Sequence, residues 1–404
     1  MKQKHILVVS QYFYPEQFRI NDICREWVER GYRVTVLTGI PNYPQGRFYP
    51  EYGLFKKRKE KYDGVDIIRI PLVPRGNKSI MLALNYLSFV ISGFFWSLFT
   101  RLKADFVYIY EVSPMTQALP GVWYSKRKKV PCYLYVMDPW PENVQIMTGI
   151  SHPVVIKPLA KMVEYIYRHC SKIFISSPRF MESLKQRQVA EEQVEYWPQY
   201  AEDFYEQVDR QQVTRTEIPQ DGVLNITFAG NIGQAQGLDI LPKAAKALKE
   251  EGVLVRFNLI GDGRYKKALM DEVKSQQLEA YFNFIDKQPA TEIPAFLSLS
   301  DVSLITLSKS EVFAMTLPAK VQSCMACGTP LLVSADGAIQ EVVKDSKGGL
   351  SSNAQDVDGL VKNILAFRSY SQEELREMGQ QVINYSREHF NKETLMNRMD
   401  SYFS

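Results

Sequence analysis

Short apolar runs alternate with longer amphipathic stretches along most of the chain, a pattern that predicts strands alternating with helices. Six predicted strands precede residue 200, at 5–10, 33–38, 65–70, 106–110, 133–137 and 172–176. The pattern then restarts, with predicted strands at 224–229, 255–260, 282–285, 302–306 and 330–334. Strands that alternate with helices form parallel sheets covered on both faces. We therefore predict an α/β protein with two doubly wound, Rossmann-like domains.

A polar stretch at 197–218 connects the two halves of this pattern. We predict an N-terminal domain over residues 1–200 and a C-terminal domain over residues 201–380. The remaining residues, 381–404, are expected to form a C-terminal helix that packs back on the first domain. The two domains are expected to face each other across a cleft, which is the default ligand site for this architecture.

Residues 79–100 carry no charge, and as a helix they would span about 33 Å, enough to cross a bilayer. Three interpretations stay open: a transmembrane helix, a buried helix, and a helix that dips into the membrane surface. A span would place the predicted strands 65–70 and 106–110 on opposite sides of the membrane. The basic runs 56–59 and 126–129 favour the membrane-associating helix, because Lys and Arg attract anionic headgroups.

Composition narrows the class of protein. The chain has 404 residues, of which 45% are hydrophobic and 23% charged, as in a soluble globular protein. A net charge of +4 gives no argument for nucleic acid as a partner. Five cysteines do not make a disulfide framework, so we expect the cytoplasm. The apolar run 6–9 is too short for a signal peptide.

A dinucleotide enzyme is the first alternative for doubly wound domains, and its fingerprint is missing. No glycine occurs in residues 11–15, where G-x-G-x-x-G would follow the first strand. The second domain has Gly230, Gly233 and Gly237, which is the wrong spacing. The turn 230–237 still leads from a strand into a helix, so its backbone N–H groups can bind an anion. A plain tight turn explains it equally well.

A second anion site is predicted at the start of a helix over 321–327, with Pro318 in its first turn and Gly328 at its end. Lys320 lies in the same turn and opposes the helix dipole. It therefore costs stability unless an anion compensates for the charge. An exposed lysine that points into water is the alternative interpretation.

Metal chemistry has little support in the sequence. Cys324 and Cys327 form C-x-x-C inside a predicted helix, without a partner pair. The four histidines show no ligand spacing. Asp356 and Asp358 precede a periodic helix, so capping explains them better than metal binding. We expect no metal and no cofactor.

Six stretches carry a family resemblance: YFYPEQFRIND (12–22), TGIPNYPQG (38–46), DPWPEN (138–143), FAGNIGQAQG (228–237), LIGDG (259–263) and LPAKVQSCMACGTP (317–330). Over almost its whole length the chain resembles glycosyltransferase family 4, which has the GT-B fold. It is most similar to the bacterial subgroup that builds O-antigen and capsule repeats, including N-acetylfucosaminyl transferase-like members. The resemblance implies a nucleotide-sugar donor on the C-terminal domain, an acceptor on the N-terminal domain, retention and no metal.

The resemblance and the two anion sites give the expected site residues. The donor-binding residues are Arg19, Asn21, Gly230, Asn231, Gly233, Gln236, Gly261, Thr316, Leu317, Lys320 and Ser323. The acceptor-binding residues are Asn42, Tyr43, Trp140 and Glu142. Asp138 and Glu111 are the catalytic candidates, because each follows a predicted strand and ligands collect at the carboxyl ends of parallel strands. Helix or loop capping is the alternative for both.

The chain departs from the family pattern at charged positions. Met315 and Ser323 stand where many members carry two glutamates. Asn231 and Gln236 replace an arginine and a lysine of the first phosphate loop. Uncompensated phosphate charge in a site that excludes water is costly. Lys320 is therefore the expected cation for the donor diphosphate.

The resemblance implies transfer of a sugar, an N-acetylated hexose or deoxyhexose, from a UDP-sugar. The expected acceptor is a lipid-linked saccharide on undecaprenyl diphosphate, at the inner face of the cell membrane, where the anionic surface would hold the protein peripherally. A sugar-nucleotide-binding or scaffolding partner that has lost catalysis is the main alternative. A nucleotide-sugar epimerase of the same fold is a third, disfavoured by the stretch 138–143 and the one that contains Lys320.

Overall fold

A computed structural model describes residues 3–76 and 78–403 of the protein. The chain divides into two compact units. The first unit comprises Met1–Trp197 and Met399–Ser404, and the second comprises Pro198–Arg398. The division after Trp197 lies at the start of the polar stretch 197–218, which connects the two halves of the sequence pattern.

The C-terminal segment is shared between the units. Residues 381–398 belong to the second unit, and only 399–404 belong to the first. The segment expected to return to the first domain is therefore much shorter than 381–404. Its anchor is Phe403, which is fully buried and lies 5.5 Å, centroid to centroid, from the ring of Trp27.

The first unit is built on a sheet that has eight strands within the described residues. They are β1 (His5–Val9), β2 (Arg33–Gly39), β3 (Lys59–Tyr62), β4 (Val65–Ile70), β5 (Phe106–Glu111), β6 (Cys132–Val136), β7 (Lys172–Ile175) and β8 (Val194–Tyr196). Their order is β3-β4-β2-β1-β5-β6-β7-β8, and only the β3–β4 pair is antiparallel. The central strands are buried along their length, as expected when helices cover both faces.

Six α-helices connect these strands in the described part of the first unit. They are α1 (Ile20–Glu29), α2 (Ser79–Phe99), α3 (Leu119–Lys128), α4 (Glu142–Thr148), α5 (Pro153–Arg168) and α6 (Phe180–Gln186). Most are crossover helices between parallel strands, which is how a doubly wound sheet is covered.

The second unit repeats the plan on a sheet with six described strands. They are β9 (Leu224–Ala229), β10 (Val255–Ile260), β11 (Phe282–Ile285), β12 (Val302–Thr306), β13 (Leu331–Ser334) and β14 (Gly349–Ser352). All pairs are parallel, in the order β11-β10-β9-β12-β13-β14. The apolar side chains of β9 and β10 pack against α7 and α13 in one continuous core.

The helices of the second unit follow its strands. They are α7 (Ile240–Glu250), α8 (Lys266–Ser275), α9 (Ile293–Ser298), α10 (Glu311–Met315), α11 (Ala319–Ala326), α12 (Ala338–Ser346), α13 (Val357–Ser369), α14 (Gln372–His389) and α15 (Lys392–Asp400), whose last residues lie in the first unit. The helix predicted to run through 321–327, with Pro318 in its first turn, begins at Ala319, so Pro318 occupies its N-cap position instead.

The α/β class with two doubly wound sheets is confirmed, and each predicted strand is present. The pattern missed β3, β8 and β14, all three of which lie at a sheet edge. Edge strands are covered on fewer sides, so they need no apolar run. The sequences KEKY of β3 and GLSS of β14 show this directly.

Helix α2 is packed through small and polar positions. Its buried residues are Asn85, Phe89, Gly93 and Ser97. A Cβ atom on Gly93 would lie 2.2 Å from Cγ of Pro120, so glycine is what allows α3 to approach this closely. The packed face of α2 is therefore narrow.

The opposite face of α2 is apolar and exposed. Its exposed large side chains are Ile80, Leu84, Leu87, Ile91, Phe94, Phe95, Leu98 and Phe99. Only 22% of its most apolar stretch of 18 residues is buried, so the alternative of an ordinary buried helix is wrong. The helix is long and apolar enough to cross a membrane, which for a single helix is weak evidence. It packs against α3 and β4 of the first unit. The strands that precede and follow it, β4 and β5, belong to one sheet, and a crossing would separate them.

Candidate active site

The predicted phosphate loop lies where the strand order of the second sheet reverses. This is the switch point between β9 and β12, the usual ligand position in open α/β sheets. The loops that follow the two strands interlock through backbone contacts. Ser308 donates its N–H to Ala235 O at 3.1 Å and its Oγ–H to Gln234 O at 2.6 Å. The loop 230–237 is thus held in place from the neighbouring strand.

Two glycines permit the loops after β9 and β10 to cross. Gly230 and Gly261 have φ angles of 149° and 148°, which side chains rarely adopt. A Cβ atom on Gly261 would lie 1.9 Å from Gly230 O. Gly230 and the next residue, Asn231, are exposed, and the Asn231 amide would crowd a Cβ atom on Gly233. The N–H of Gly230 donates to Ile260 O at 2.9 Å and that of Ile232 to Asp262 O at 2.8 Å, so a ligand of this turn would contact its remaining backbone N–H groups.

Lys320 joins helix α11 to the same loop. Its Nζ lies 4.1 Å from the centroid of the Phe228 ring and donates a hydrogen bond to Gln236 Oε1. The amine is also 3.5 Å from the position that a Cβ atom on Gly230 would take. The two anion sites predicted separately from the sequence therefore meet at one amine.

The charge of Lys320 is poorly compensated by the protein. Burial lowers the pKa of its amine to about 8. Within the described residues, its polar partner is the Gln236 amide, and no carboxylate forms an ion pair with it. An ammonium group that loses water without gaining a counterion favours its neutral form. A bound anion would favour the charged form, so the surroundings of Lys320 suit an anionic ligand.

Three other predicted donor residues have side chains that are bonded or buried within the second unit. The Thr316 hydroxyl donates to Val312 O at 2.8 Å, and Leu317 is buried. Ser323 is also buried, with its hydroxyl 3.4 Å from Ala319 O. The Thr316 N–H also donates to Phe313 O at 3.1 Å. Contact of these three residues with a donor stays a prediction.

Asp138, the first catalytic candidate, follows β6 at the carboxyl edge of the first sheet. Its Oδ2 accepts the backbone N–H of Ser113 at 2.8 Å, and Ser113 itself follows β5. Burial raises the pKa of Asp138, and the hydrogen bonds from Ser113 oppose that rise. The residue stays partly exposed, so it can reach a ligand.

Glu111, the second catalytic candidate, is the last residue of β5. It is fully buried, and its Oε2 accepts the backbone N–H groups of Met137 at 3.2 Å and Asp138 at 3.3 Å. Burial raises the pKa of Glu111 well above its usual range, and the nearby charge of Asp138 adds to the rise. A role in positioning Asp138 fits this placement better than contact with a substrate.

Two predicted acceptor residues have partners inside the first unit. Trp140 is nearly buried and donates its Nε1–H to Ser113 Oγ at 3.1 Å, beside Asn143, which donates to the same oxygen at 2.8 Å. Glu142 forms an ion pair at 2.5 Å with Arg187, the residue that follows α6. These contacts support the loop after β6, and binding of an acceptor by either residue stays a prediction.

A buried carboxyl that the sequence analysis did not select holds the other two acceptor residues. Glu16 Oε1 accepts the backbone N–H groups of Asn42 at 2.8 Å and Tyr43 at 2.7 Å. Burial raises the pKa of Glu16 to about 7. Asn42 is buried and donates to Ile40 O at 2.9 Å. Of the pair, Tyr43 is the one that presents its side chain to solvent.

Arg19 and Asn21, predicted to bind the donor, lie at the start of α1. Arg19 is close enough to the buried hydroxyl of Tyr135 to oppose the rise that burial causes in the pKa of that tyrosine. Asn21 donates its amide N–H to Glu16 O at 2.8 Å. Their contact with a donor stays a prediction.

Arg75 is a further candidate that the sequence analysis missed. Its backbone N–H donates to Asn42 Oδ1 at 2.9 Å, and its Nη1 donates to Tyr12 OH at 3.3 Å. Its guanidinium group lies 5.2 Å from the centroid of the Tyr43 ring. These partners are 32 to 63 positions earlier in the chain, so no local pattern around Arg75 could predict them.

The acidic and cysteine motifs have structural explanations. The Asp356 carboxylate accepts the N–H of Gly359 at 2.9 Å at the start of α13, which confirms the predicted cap. Cys324 and Cys327 are buried thiols. Over residues 3–76 and 78–403, no group of three or more His, Cys, Asp or Glu side chains is placed to hold a metal ion.

Two family models together match most of the chain. The model described as "Glycosyl transferase 4-like domain" matches residues 17–199. The model described as "Glycosyl transferases group 1" matches residues 211–389. The first match falls in the unit that carries Asp138, and the second in the unit that carries Lys320.

Curated relatives agree with these models. The putative colanic acid biosynthesis glycosyl transferase WcaI of Escherichia coli is 25% identical over 347 residues, which cover 82% of this chain and 83% of the relative. The amylovoran biosynthesis glycosyltransferase AmsK of Erwinia amylovora is 23% identical over 143 residues, 35% of each chain.

Solved structures share the fold at low sequence identity. Sucrose-phosphate synthase from Thermosynechococcus elongatus has a TM-score of 0.78 and 15% identity, covering 99% of this chain and 98% of that one. Anabaena HepE, in complex with UDP, has a TM-score of 0.71 and 14% identity over 99% of both chains. At these identities the likeness shows the fold alone, which is GT-B. The chain belongs to glycosyltransferase family 4, and it is a GT-B glycosyltransferase of bacterial polysaccharide biosynthesis.

Proposed function

We propose that the protein transfers a sugar, with retention, from a UDP-sugar to a lipid-linked saccharide at the inner face of the cell membrane. The observation that carries this proposal is the state of Lys320. Its amine has lost much of its water, lies against a glycine turn at a strand-order switch point, and has no carboxylate partner among the described residues. A diphosphate supplies the missing negative charge.

UDP is the proposed nucleotide because proteins of similar fold were solved with UDP or a UDP-sugar bound. HepE was solved in complex with UDP, and an E. coli protein with a TM-score of 0.72 was solved bound with UDP-2-fluoro glucose. In this chain the diphosphate would contact Lys320, the exposed backbone of the turn 230–237 and the backbone at 316–319. Asn231 and Gln236 are uncharged where the family pattern has an arginine and a lysine. Lys320 is therefore the residue that brings a full positive charge to these contacts.

The proposed reaction needs no protein base. The bond between the sugar C1 and the β-phosphate oxygen of UDP breaks, and a bond between C1 and the acceptor oxygen forms on the same face. The acceptor proton passes to the departing phosphate oxygen, so the products are the glycoside and UDP. Lys320 would stabilise the charge that develops on the leaving diphosphate, and Asp138 would orient the acceptor hydroxyl.

The donor sugar and the metal requirement follow from the family resemblance. We propose an N-acetylated hexose or deoxyhexose as the sugar, so that the activity is of the hexosyl or N-acetylhexosaminyl type. The proposed transfer is metal-independent, because Lys320 takes the place in which a divalent cation would otherwise balance the diphosphate.

Helix α2 supports the membrane part of the proposal. Its exposed apolar face would enter the interface between headgroups and acyl chains, with the helix lying along the surface. Basic side chains gather near its C-terminal end: Arg127 donates to Thr100 O at 2.7 Å, and Arg101, Lys126 and Lys129 are exposed nearby in the chain. This combination of apolar surface and positive charge suits an anionic bilayer.

The direct test is transfer itself. The purified full chain is incubated with a panel of UDP- and GDP-sugars and a polyprenyl diphosphate saccharide, and the glycolipid product and released UDP are measured. A longer glycolipid with an equal amount of UDP supports the proposal. Binding of a UDP-sugar, seen as a thermal shift, without any product across the panel would favour the binding or scaffolding partner and overturn the enzyme.

A further inference from the structure

Arg75 lacks the carboxylate partner that two other arginines of the first unit have within the described residues. Arg69 pairs with Glu60 and Arg187 with Glu142, both at 2.5 Å. Arg75 is partly exposed, and no carboxylate of the described residues forms an ion pair with it. A guanidinium left without its counterion, yet open to solvent, is available to a planar or tetrahedral anion.

Aromatic residues, not acids, surround this guanidinium. Tyr43 lies against it at 5.2 Å, and Tyr12 OH accepts its Nη1–H at 3.3 Å. Tyr86 bonds to the Tyr12 hydroxyl, and its own pKa is influenced by the charges of Arg75 and Asp138. A guanidinium stacked on a ring keeps the N–H groups at its edge free to donate to an anion.

Arg75 lies near both a reactive group and an apolar surface. Tyr86, a residue of α2, is influenced by the charges of Arg75 and of Asp138, the proposed group that orients the acceptor hydroxyl. α2 begins four residues after Arg75, and its exposed apolar side chains begin with Ile80 and Leu84. The cation, the carboxylate and the start of the apolar face therefore gather around the first turns of α2.

The geometry points to Arg75, with Tyr12 and Tyr86, as the binding site for the diphosphate that joins the acceptor saccharide to its lipid. This inference rests on the proposed function, since it assigns the acceptor's phosphates to a position of their own. The lipid chain would follow the apolar face of α2, and the saccharide would extend towards Asp138. The donor diphosphate, bound at Lys320, is a separate group on the second unit.

The test uses binding, so it does not depend on turnover. Farnesyl diphosphate, farnesol and inorganic diphosphate are titrated calorimetrically into the full chain and into Arg75→Ala. Arg101→Ala is the matched control, because it removes the same charge from just beyond the other end of α2. We expect Arg75→Ala to weaken the binding of farnesyl diphosphate at least tenfold and Arg101→Ala to change this affinity less than twofold. Farnesol should bind the wild type and both variants equally.

Further arms make the assignment falsifiable. UDP affinity should be unchanged in Arg75→Ala, which checks the fold and excludes the donor site. Arg75→Lys should restore part of the affinity, because it keeps the charge and loses the planar fork. Equal affinity of wild type and Arg75→Ala for farnesyl diphosphate would overturn the inference. So would a parallel loss of farnesol binding, or inorganic diphosphate binding as tightly as farnesyl diphosphate, which would indicate a free phosphate site.

These outcomes are distinct from failure of the proposed function. A protein that transfers no sugar but binds farnesyl diphosphate through Arg75 would contradict the transfer and keep the site. A protein that transfers sugar to the lipid-linked acceptor with an unchanged acceptor KM in Arg75→Ala would contradict the site and keep the transfer.

Discussion

Lys320 is a residue whose surroundings conflict with its charge. It occupies the first turn of α11, where the helix dipole disfavours a cation, and burial lowers the pKa of its amine to about 8. The Phe228 ring and the Gln236 amide stabilise the ammonium form only weakly. A residue whose surroundings disfavour its charge is expected where a bound ligand supplies the compensating charge. In this chain we propose the donor diphosphate as that ligand.

The lowered pKa of Lys320 predicts a pH dependence of donor use. Below about pH 8 the free protein carries the ammonium form, and above it the neutral amine, which attracts a diphosphate much less. We expect kcat/KM for the UDP-sugar to fall as the pH rises through about 8, because this parameter reports the groups of the free enzyme. Lys320→Arg should remove the alkaline fall, since guanidinium stays charged. The same alkaline fall in both proteins would contradict the assignment.

The two carboxyls at the edge of the first sheet should respond differently to amide substitution. Asp138→Asn is expected to lower kcat by about 10² or more, because the partly exposed carboxylate orients the acceptor. Glu111→Gln should keep most of the activity, since burial already favours the neutral form of Glu111. Steady-state kinetics and UDP affinity of both variants check this. An equal loss in both would place Glu111 in contact with the reaction.

The sequence allows a single residue to be selected as a candidate where the pattern that marks it lies within a few positions of it. A lysine in a first helical turn and a glycine turn after a strand are each visible within a few residues. Glu16 and Arg75 gave no such signal, because the groups that define them come from elsewhere in the chain. Glu16 binds backbone 26 and 27 positions away, and Arg75 bonds to a hydroxyl 63 positions away.

Helix α2 combines a packed face with an exposed apolar face. Its buried residues, Asn85, Phe89, Gly93 and Ser97, lie on the side that packs against α3 and β4, and most of its large apolar residues face outward. The uncharged run predicted a membrane-associating helix, and it could not tell which face was packed. That assignment depends on α3, whose Pro120 approaches Gly93 and leaves the apolar residues uncovered.

The exposed face of α2 predicts binding to anionic vesicles. The triple variant Leu87→Gln, Ile91→Gln and Phe95→Gln should weaken co-sedimentation with phosphatidylglycerol vesicles at least tenfold. Complete burial of one such side chain is worth about 1.5–3 kcal/mol, and burial at an interface is partial. Leu254→Gln with Met270→Gln is the control, since it removes exposed apolar side chains from the second unit. Vesicle binding that is unchanged in the triple variant would contradict this role of α2.

At the scale of the whole molecule, the chain builds two similar sheets and then returns to the first. The interior strands were predictable because strands buried on both faces read as apolar runs. The edge strands β3, β8 and β14 were not, because an edge strand needs fewer apolar positions. The return was predicted over 381–404, but only 399–404 belong to the first unit, where Asp400, Tyr402 and Phe403 make the contacts.

The return of the chain predicts that Phe403 stabilises the first unit. Its buried ring lies 5.5 Å from Trp27, 5.2 Å from Phe106 and 5.5 Å from Tyr133. Phe403→Ala should reduce the free energy of unfolding by about 3–5 kcal/mol, which is typical for loss of a buried phenylalanine. Tyr402→Phe, which removes only a hydroxyl, is the control. Urea unfolding followed by tryptophan fluorescence measures both, and a loss below about 1 kcal/mol in Phe403→Ala would contradict the anchor.

The central claim is that Lys320 recognises the phosphates of the donor, and ligand affinity tests it without an acceptor. UDP and uridine are titrated calorimetrically into the wild type and Lys320→Ala near pH 7. Loss of a charge-assisted contact predicts roughly 10- to 100-fold weaker binding of UDP. Uridine, which lacks phosphates, should bind both proteins equally. Unchanged UDP affinity in Lys320→Ala, or an equal loss for uridine, would contradict the account.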